Sequence, residues 1–336
     1  VRRFFRFFLL LIAVATLVST FSPTALSTQT TLLVSSRNSR SILRYDGATG
    51  AFIDAFVPAG RGGLKGPTGL TLGPDNNLYV CDIFNNSVLR YDGRTGNFID
   101  VFIPPGSGEL SSPESLEFGP DNNLYVSGFE GSGVRRYNGK TGSFIDIVAA
   151  TVPSSGSSLD ASSFTFGPDN NLYVSSDFSY NGVLRYSGKT GAFMDVFVPP
   201  KSAPKLPAGL TFGPDKNLYV SDFSPDGSVR RYNSQTGAFM DAFVPAGSGG
   251  LTRASRLTFR PDNKLYITSY GSNSVLRYNS QTGAFINAFV SSGSGGLSGP
   301  VGLVFSTTSV STTSHTSVIF AFGACMLTNF LSNTKK

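Results

Sequence analysis

Gly69-Leu70-Thr71-Leu72-Gly73-Pro74-Asp75-Asn76-Asn77-Leu78-Tyr79-Val80 decides the fold, because the chain repeats it with small changes, starting at Ser115, Ser163, Gly209 and Arg256. Each copy is followed by a variable loop, a segment like Ser87-Val88-Leu89-Arg90-Tyr91, a Thr-Gly turn and a segment like Phe98-Ile99-Asp100-Val101-Phe102. The Arg-Tyr pair marks the register at Tyr45, Tyr91, Tyr137, Tyr186, Tyr232 and Tyr278, in steps of 46, 46, 49, 46 and 46 residues. A fixed period of this size is the signature of a stacked repeat architecture.

Within one period, short runs rich in β-branched and aromatic residues alternate with turn chemistry. Gly69 to Leu72 reads as a first strand and Leu78 to Val80 opens a second. Between them Gly73 to Asn77 is a turn, where Pro presets φ and Asp and Asn bond their own backbone. Ser87 to Tyr91 is the third strand, Asp92 to Gly96 the next turn, and Phe98 to Phe102 the fourth strand. Four antiparallel strands in about 46 residues is one blade of a β-propeller. At the N-terminal side, Leu32 to Ser35, Ser41 to Tyr45 and Phe52 to Phe56 supply a second, third and fourth strand without a first. At the other side, Val301 to Phe305 is a first strand with nothing after it. Placing Val301 to Phe305 beside Leu32 to Ser35 makes one shared blade and removes the open edge. The expectation is an all-β, six-bladed propeller of four-stranded antiparallel blades, spanning residues 28–306.

The Pro-x-Gly-Leu before the first strand, the Asp-Asn-Asn turn, Leu-Tyr-Val-Ser-Asp and Val-Leu-Arg-Tyr resemble the NHL repeat of bacterial exported propellers, over roughly residues 30–305. That resemblance implies the fold; it says little of function, since such propellers serve as scaffolds, binders and enzymes.

The flanking segments carry their own expectations. Arg2, Arg3 and Arg6, the apolar run Phe7 to Val18, and Ala25-Leu26-Ser27 form the three parts of a secretory signal peptide over residues 1–27, with an uncleaved anchor as the alternative. Residues 307–317 read as a Ser/Thr-rich linker. Residues 318–336 are a short apolar tail ending in Lys335-Lys336. The tail resembles a PEP-CTERM-type sorting signal but lacks the Pro-Glu-Pro signature; a sticky disordered tail is the alternative reading. The expected location is extracellular or in the cell envelope, with attachment through the tail.

The formal charge of +6 is concentrated at the ends: five of the 27 Lys and Arg lie in the leader and at the C-terminus, and the other 22 face 21 Asp and Glu. A surface that tracks phosphates needs a basic excess, so nucleic acid is excluded as a partner. The two cysteines, Cys81 and Cys325, are far apart in the chain and Cys325 sits in the tail, so a disulfide framework is not indicated. Cys81 fills a slot held elsewhere by Ser35, Ser127, Ser175, Ser221 and Thr268, and reads as a small buried residue.

The loops between second and third strands vary, while the Pro-Asp-Asn and Thr-Gly turns do not. The variable loops are therefore the expected binding face. Its candidate ligand-binding residues are Asp82, Glu114, Glu130, Asp177, Asp222 and Arg256. Asp82 and Asp222 occupy equivalent slots three blades apart, so they are expected to face each other across the axis, where Ca2+ is a conceivable ligand; loop capping is the plainer reading. Glu117 stands where other blades have Thr71, Thr165, Thr211, Thr258 and Val304, and either reaches the channel or pairs with a nearby Arg, the second being favoured. The arginine recurring beside each register Tyr is expected to be architectural, its stem on aromatics and its charge met by the Asp of the fourth strand.

No catalytic constellation is visible. All four Glu fall between 109 and 130, and the one histidine, His315, lies beyond the repeats. A lactonase-like propeller needs several ligands converging on a metal, and a streptogramin-lyase-like one needs a His base. The expectation is a non-catalytic binding scaffold for a protein, carbohydrate or small ligand, with no cofactor. The alternative is a metal-dependent hydrolase or lyase-like enzyme working at the central channel.

Overall fold

The alternation seen in the sequence becomes a ladder of short strands. The computed structural model describes residues 26–152 and 156–311; the expected leader core, most of the linker and the tail lie outside the described residues. Strands β1 (Leu26–Ser36), β2 (Ser41–Asp46) and β3 (Phe52–Val57) belong to the first blade. The second holds β4 (Pro67–Leu72), β5 (Leu78–Asp82), β6 (Ser87–Tyr91) and β7 (Phe98–Ile103). The third holds β8 (Pro113–Phe118), β9 (Leu124–Gly128), β10 (Gly133–Tyr137) and β11 (Phe144–Ala149). The fourth holds β12 (Ser163–Phe166), β13 (Leu172–Ser176), β14 (Gly182–Tyr186) and β15 (Phe193–Val198). The fifth holds β16 (Pro207–Phe212), β17 (Leu218–Asp222), β18 (Ser228–Tyr232) and β19 (Phe239–Val244). The sixth holds β20 (Ala254–Arg260), β21 (Lys264–Ser269), β22 (Ser274–Asn279) and β23 (Phe285–Val290), and β24 (Pro300–Ser311) follows.

Six four-stranded sheets result, and the first has the order β24-β1-β2-β3. The shared blade is therefore formed, and it closes the ring. Both of its split strands overrun the expected bounds. Their extra residues, such as Ser27 to Thr31 and Ser306 to Thr308, carry no apolar alternation from which a strand end can be read.

The core lies between neighbouring blades. One buried cluster joins Tyr79, Cys81 and Phe102 of the second blade to Leu116, Val126 and Tyr137 of the third. At the seam the ring of Tyr266 meets Phe305 of β24 edge-on, 4.9 Å between centroids, just as Tyr79 meets Phe118 at 5.1 Å. The small-residue slot gains a role the sequence did not disclose. Ser35, Ser221 and Thr268 donate their hydroxyls to the first-strand carbonyls of the next blade, at Thr68, Ser255 and Val301 (2.6, 2.6 and 2.8 Å). Ser127 has no partner for its hydroxyl, and Cys81 is a buried free thiol.

The repeated arginines are architectural. Arg44, Arg90, Arg136, Arg185 and Arg231 pair with Asp54, Asp100, Asp146, Asp195 and Asp241. Their guanidinium groups lie over rings such as Phe56 and Phe102, 5.0 Å from each centroid. The neighbouring Tyr is buried, and its hydroxyl donates to the loop entering the same blade, as Tyr91 does to the carbonyl of Arg61 (2.9 Å). Those entering loops turn on glycines: Gly62 has φ of 65°, and a Cβ there would collide with the ring of Phe98.

Candidate functional site

The inner strand of each blade runs from the variable-loop face toward the fixed-turn face. Second-strand loops and entering loops do share one face: the backbone N–H groups of Ile83, Phe129, Phe223 and Tyr270 donate to Gly66, Ser112, Leu206 and Arg253 of the entering loops. At the centre of that face, where the axis opens, is a cavity of about 200 Å3. Its lining includes Arg37, Glu114, Phe129, Ser162, Asp177, Phe178, Phe223, Arg256 and Tyr270.

The charged groups of the cavity come from opposite sides of the ring. Arg256, on the inner strand β20, crosses the axis. Its Nη2 donates to the carbonyl oxygens of Glu114 (3.0 Å) and Ser162 (2.9 Å) in the third and fourth blades. In that slot the other blades have Gly69, Ser115, Ser163, Gly209 and Gly302. Small residues suit it because the inner strands converge: a Cβ on Gly209 would lie 2.3 Å from the carbonyl oxygen of Ser255. Glu114 is buried, with Arg37 Nη1 3.7 Å from its Oε1. Burial pushes its carboxyl up to about 7 against the opposing pull of Arg256 and Arg37. Asp177 is also raised by burial, although the Ser162 hydroxyl donates to it. Burial lowers the Arg256 guanidinium.

Around these charges stands an aromatic collar. Phe129 and Phe178 meet edge to face at 5.8 Å, and Phe223 and Tyr270 at 5.3 Å. Phe84 lies under the Arg37 guanidinium, 5.5 Å from its carbon. Phe178 is 71 % and Phe84 62 % exposed, high for apolar rings that have a core available. This collar was not among the residues expected from the sequence. The signal was present: each of these rings stands one or two residues past the end of a second strand, in the stretch treated as variable.

Of the six candidate residues, the structure gathers Glu114, Asp177 and Arg256 into the cavity and leaves three elsewhere. Asp82 and Asp222 do not face each other across the axis. The Asp82 carboxylate accepts the backbone N–H groups of Lys65 and Gly66 and the side chain of Asn85. Asp222 accepts those of Lys205, Leu206 and Ser224. Each ties its own pair of loops together, because two or three converging backbone donors hold a carboxylate better than an unfilled axis does. Neither lines the axial cavity. Among the described residues no three His, Cys, Asp or Glu side chains gather as a metal-ligand group. Glu130 is exposed and accepts the Ser111 hydroxyl, outside the cavity.

Below Arg256 a second cavity of about 250 Å3 continues along the axis, lined by Thr71, Glu117, Thr165, Thr211, Thr258 and Val304 among others. Glu117 thus reaches the channel, and the favoured pairing with an Arg is not formed. Burial pushes its carboxyl up to about 7, with the Thr165 hydroxyl bonded to it.

Solved structures share this architecture at low sequence identity. A chain of the nidogen/laminin complex matches with a TM-score of 0.61 and 17 % identity, over 82 % of this chain and 98 % of that one. Virginiamycin B lyase from Staphylococcus aureus matches with a TM-score of 0.58 and 15 % identity, over 85 % and 100 %. A Bacteroides caccae protein of unknown function matches at 0.62 and 12 %, over 83 % and 99 %. The chain is a six-bladed β-propeller. No protein-family model and no curated protein matches its sequence, so the likeness carries the fold alone.

Proposed function

We propose that this propeller, of the NHL-like exported type, is a non-catalytic binding scaffold that takes its ligand in the axial cavity of the variable-loop face. The observation that carries this reading is the aromatic collar of Phe129, Phe178, Phe223 and Tyr270, with Phe178 exposed at the rim, over a floor of Glu114, Asp177 and Arg256. Flat rings at the rim give sequence-tolerant apolar contact, and the few polar groups at the base fix orientation. A carbohydrate ring, with apolar C–H faces and hydroxyl edges, satisfies both parts. An extracellular or envelope location, expected from the leader-like segment, suits a carbohydrate ligand. The test is a glycan array probed with the wild-type chain and with Phe178→Ser, a substitution of an exposed ring that should leave the fold intact. The wild type is expected to retain a discrete set of glycans and Phe178→Ser to lose them. Equal binding by both would overturn the reading.

A second reading rests on Glu114. A buried carboxyl held near 7 in an aromatic-walled cavity has the proton affinity of a general acid or base, and one of the structural neighbours is named as a lyase. Under that reading Glu114→Gln would abolish turnover of a bound glycan while keeping its binding. Under the scaffold reading no turnover would be seen in either protein.

A further inference from the structure

The cavity below Arg256 is separate from the loop-face site. The guanidinium lines both, bridging the axis between them. Its walls are a repeating ring: Thr71, Thr165, Thr211 and Thr258 offer hydroxyls from four blades, Val304 breaks the ring once, and Glu117 replaces a hydroxyl with a carboxyl in the third blade. In blades this alike, a departure to a charged residue at a half-buried position is costly unless something offsets the charge. Among the described residues no cation pairs with Glu117, so below about pH 7 the carboxyl keeps its proton and above that its charge is unmatched. Arg256 is engaged by the carbonyls of Glu114 and Ser162, and the interaction the Glu117 carboxyl makes is with the Thr165 hydroxyl.

We infer that this lower well binds a small primary ammonium ion, its charge met by Glu117 and its N–H groups by the threonine hydroxyls. The chemistry narrows the ligand. An ammonium head has three donors and no acceptor, and the well offers a carboxylate and a ring of hydroxyl oxygens to receive them. One carboxylate balances one positive charge. A divalent ion such as Ca2+ wants six to eight oxygens, with several carboxylates among them, and the well has a single carboxyl. The space of about 250 Å3 accommodates a short alkyl chain behind the ammonium head. The Phe178 collar takes no part, so this site stands or falls independently of the glycan reading.

Isothermal titration of the full chain at pH 8, where the Glu117 carboxyl is ionised, with n-propylammonium chloride against KCl and CaCl2 at matched ionic strength, tests the assignment. The wild type is expected to bind propylammonium saturably at one site. Glu117→Thr, which restores the residue of the other blades, is expected to weaken binding at least tenfold while melting no lower than the wild type. Glu117→Gln, which keeps the shape and removes the charge, should do the same, and Phe178→Ser should bind as the wild type does. Absence of saturable binding in the wild type, unchanged binding in Glu117→Thr, or a preference for Ca2+ would overturn it.

Discussion

Arg256 donates from Nη2 to the carbonyl oxygen of Glu114 at 3.0 Å, although 142 residues of chain separate them and they stand on opposite blades of the ring. This single contact spans the axis, floors the loop-face cavity and roofs the channel below. Three charged residues, Glu114, Glu117 and Arg256, break an otherwise repeating inner wall, and all three lie on the axis.

Replacing Arg256 with Met removes a charge-assisted donor from two buried carbonyls and a cation from beside Glu114. The expected loss is about 2–4 kcal/mol of stability, measured by urea unfolding. Because Arg256 opposes the upward push of burial on Glu114, the Glu114 midpoint should move above its present value of about 7, as read by carboxyl NMR titration. A midpoint that fell would show that the guanidinium does not act on this carboxyl.

Stability should fall as pH rises through the acid range. The folded chain keeps protons on Glu114 and Glu117 up to about pH 7, whereas an unfolded Glu releases its proton near 4.5. Between those values the folded state binds more protons, so each unit rise in pH favours unfolding, and the loss is complete above pH 7. Glu117→Thr should remove its share, making the variant more stable than the wild type by about 2 kcal/mol at pH 8 and no different at pH 4. Urea unfolding at the two pH values checks this. An equal difference at both would mean that the effect is packing, not ionisation.

The small-residue slot makes an internally controlled pair. Ser221→Ala removes the hydroxyl bonded to Ser255 of the next blade and should cost about 1–2 kcal/mol. Ser127→Ala removes a buried hydroxyl that has no partner and should be neutral or stabilising. Thermal melting of the two variants side by side decides it, and equal losses would contradict the inter-blade role.

Closure of the ring depends on β24. Phe305→Ala deletes the ring that meets Tyr266 across the seam and lies under Arg260, 3.8 Å from its guanidinium carbon. The expected loss is about 3 kcal/mol, and deleting residues 301–305 should abolish cooperative melting of the whole propeller. A deletion variant that melted like the wild type would sink the shared blade.

Architecture was legible in the sequence because each blade repeats its own evidence. Tyr91 and Arg90 are read six times over and Asp100 five times, with Asn287 in the sixth blade, and the surplus strand at Val301 pairs with the deficit at Leu32 by counting alone. Glu114, Asp177 and Arg256 were legible as candidate polar groups of the variable-loop face. Their assembly was not, because the reach of Arg256 across the axis depends on how closely Gly69, Gly209 and Gly302 let the inner strands converge. Asp82 and Asp222 misled for a related reason. The equivalent slots stand on opposite blades, but each carboxylate is taken by a backbone donor of the entering loop, 16 residues earlier in the chain. The collar of Phe129, Phe178, Phe223 and Tyr270 went unread because the loops that carry it were treated as variable spacers.

If the ligand is taken in the loop-face cavity, the floor residues that depart from the repeat, Glu114 and Arg256, carry its binding. This is tested most directly by restoring the repeat: Glu114→Ser and Arg256→Gly in one chain, compared with the wild type on the same glycan array after urea unfolding has established that the variant is folded. The account predicts a folded propeller that no longer binds the glycans the wild type retains. A folded variant that binds them equally well would contradict it.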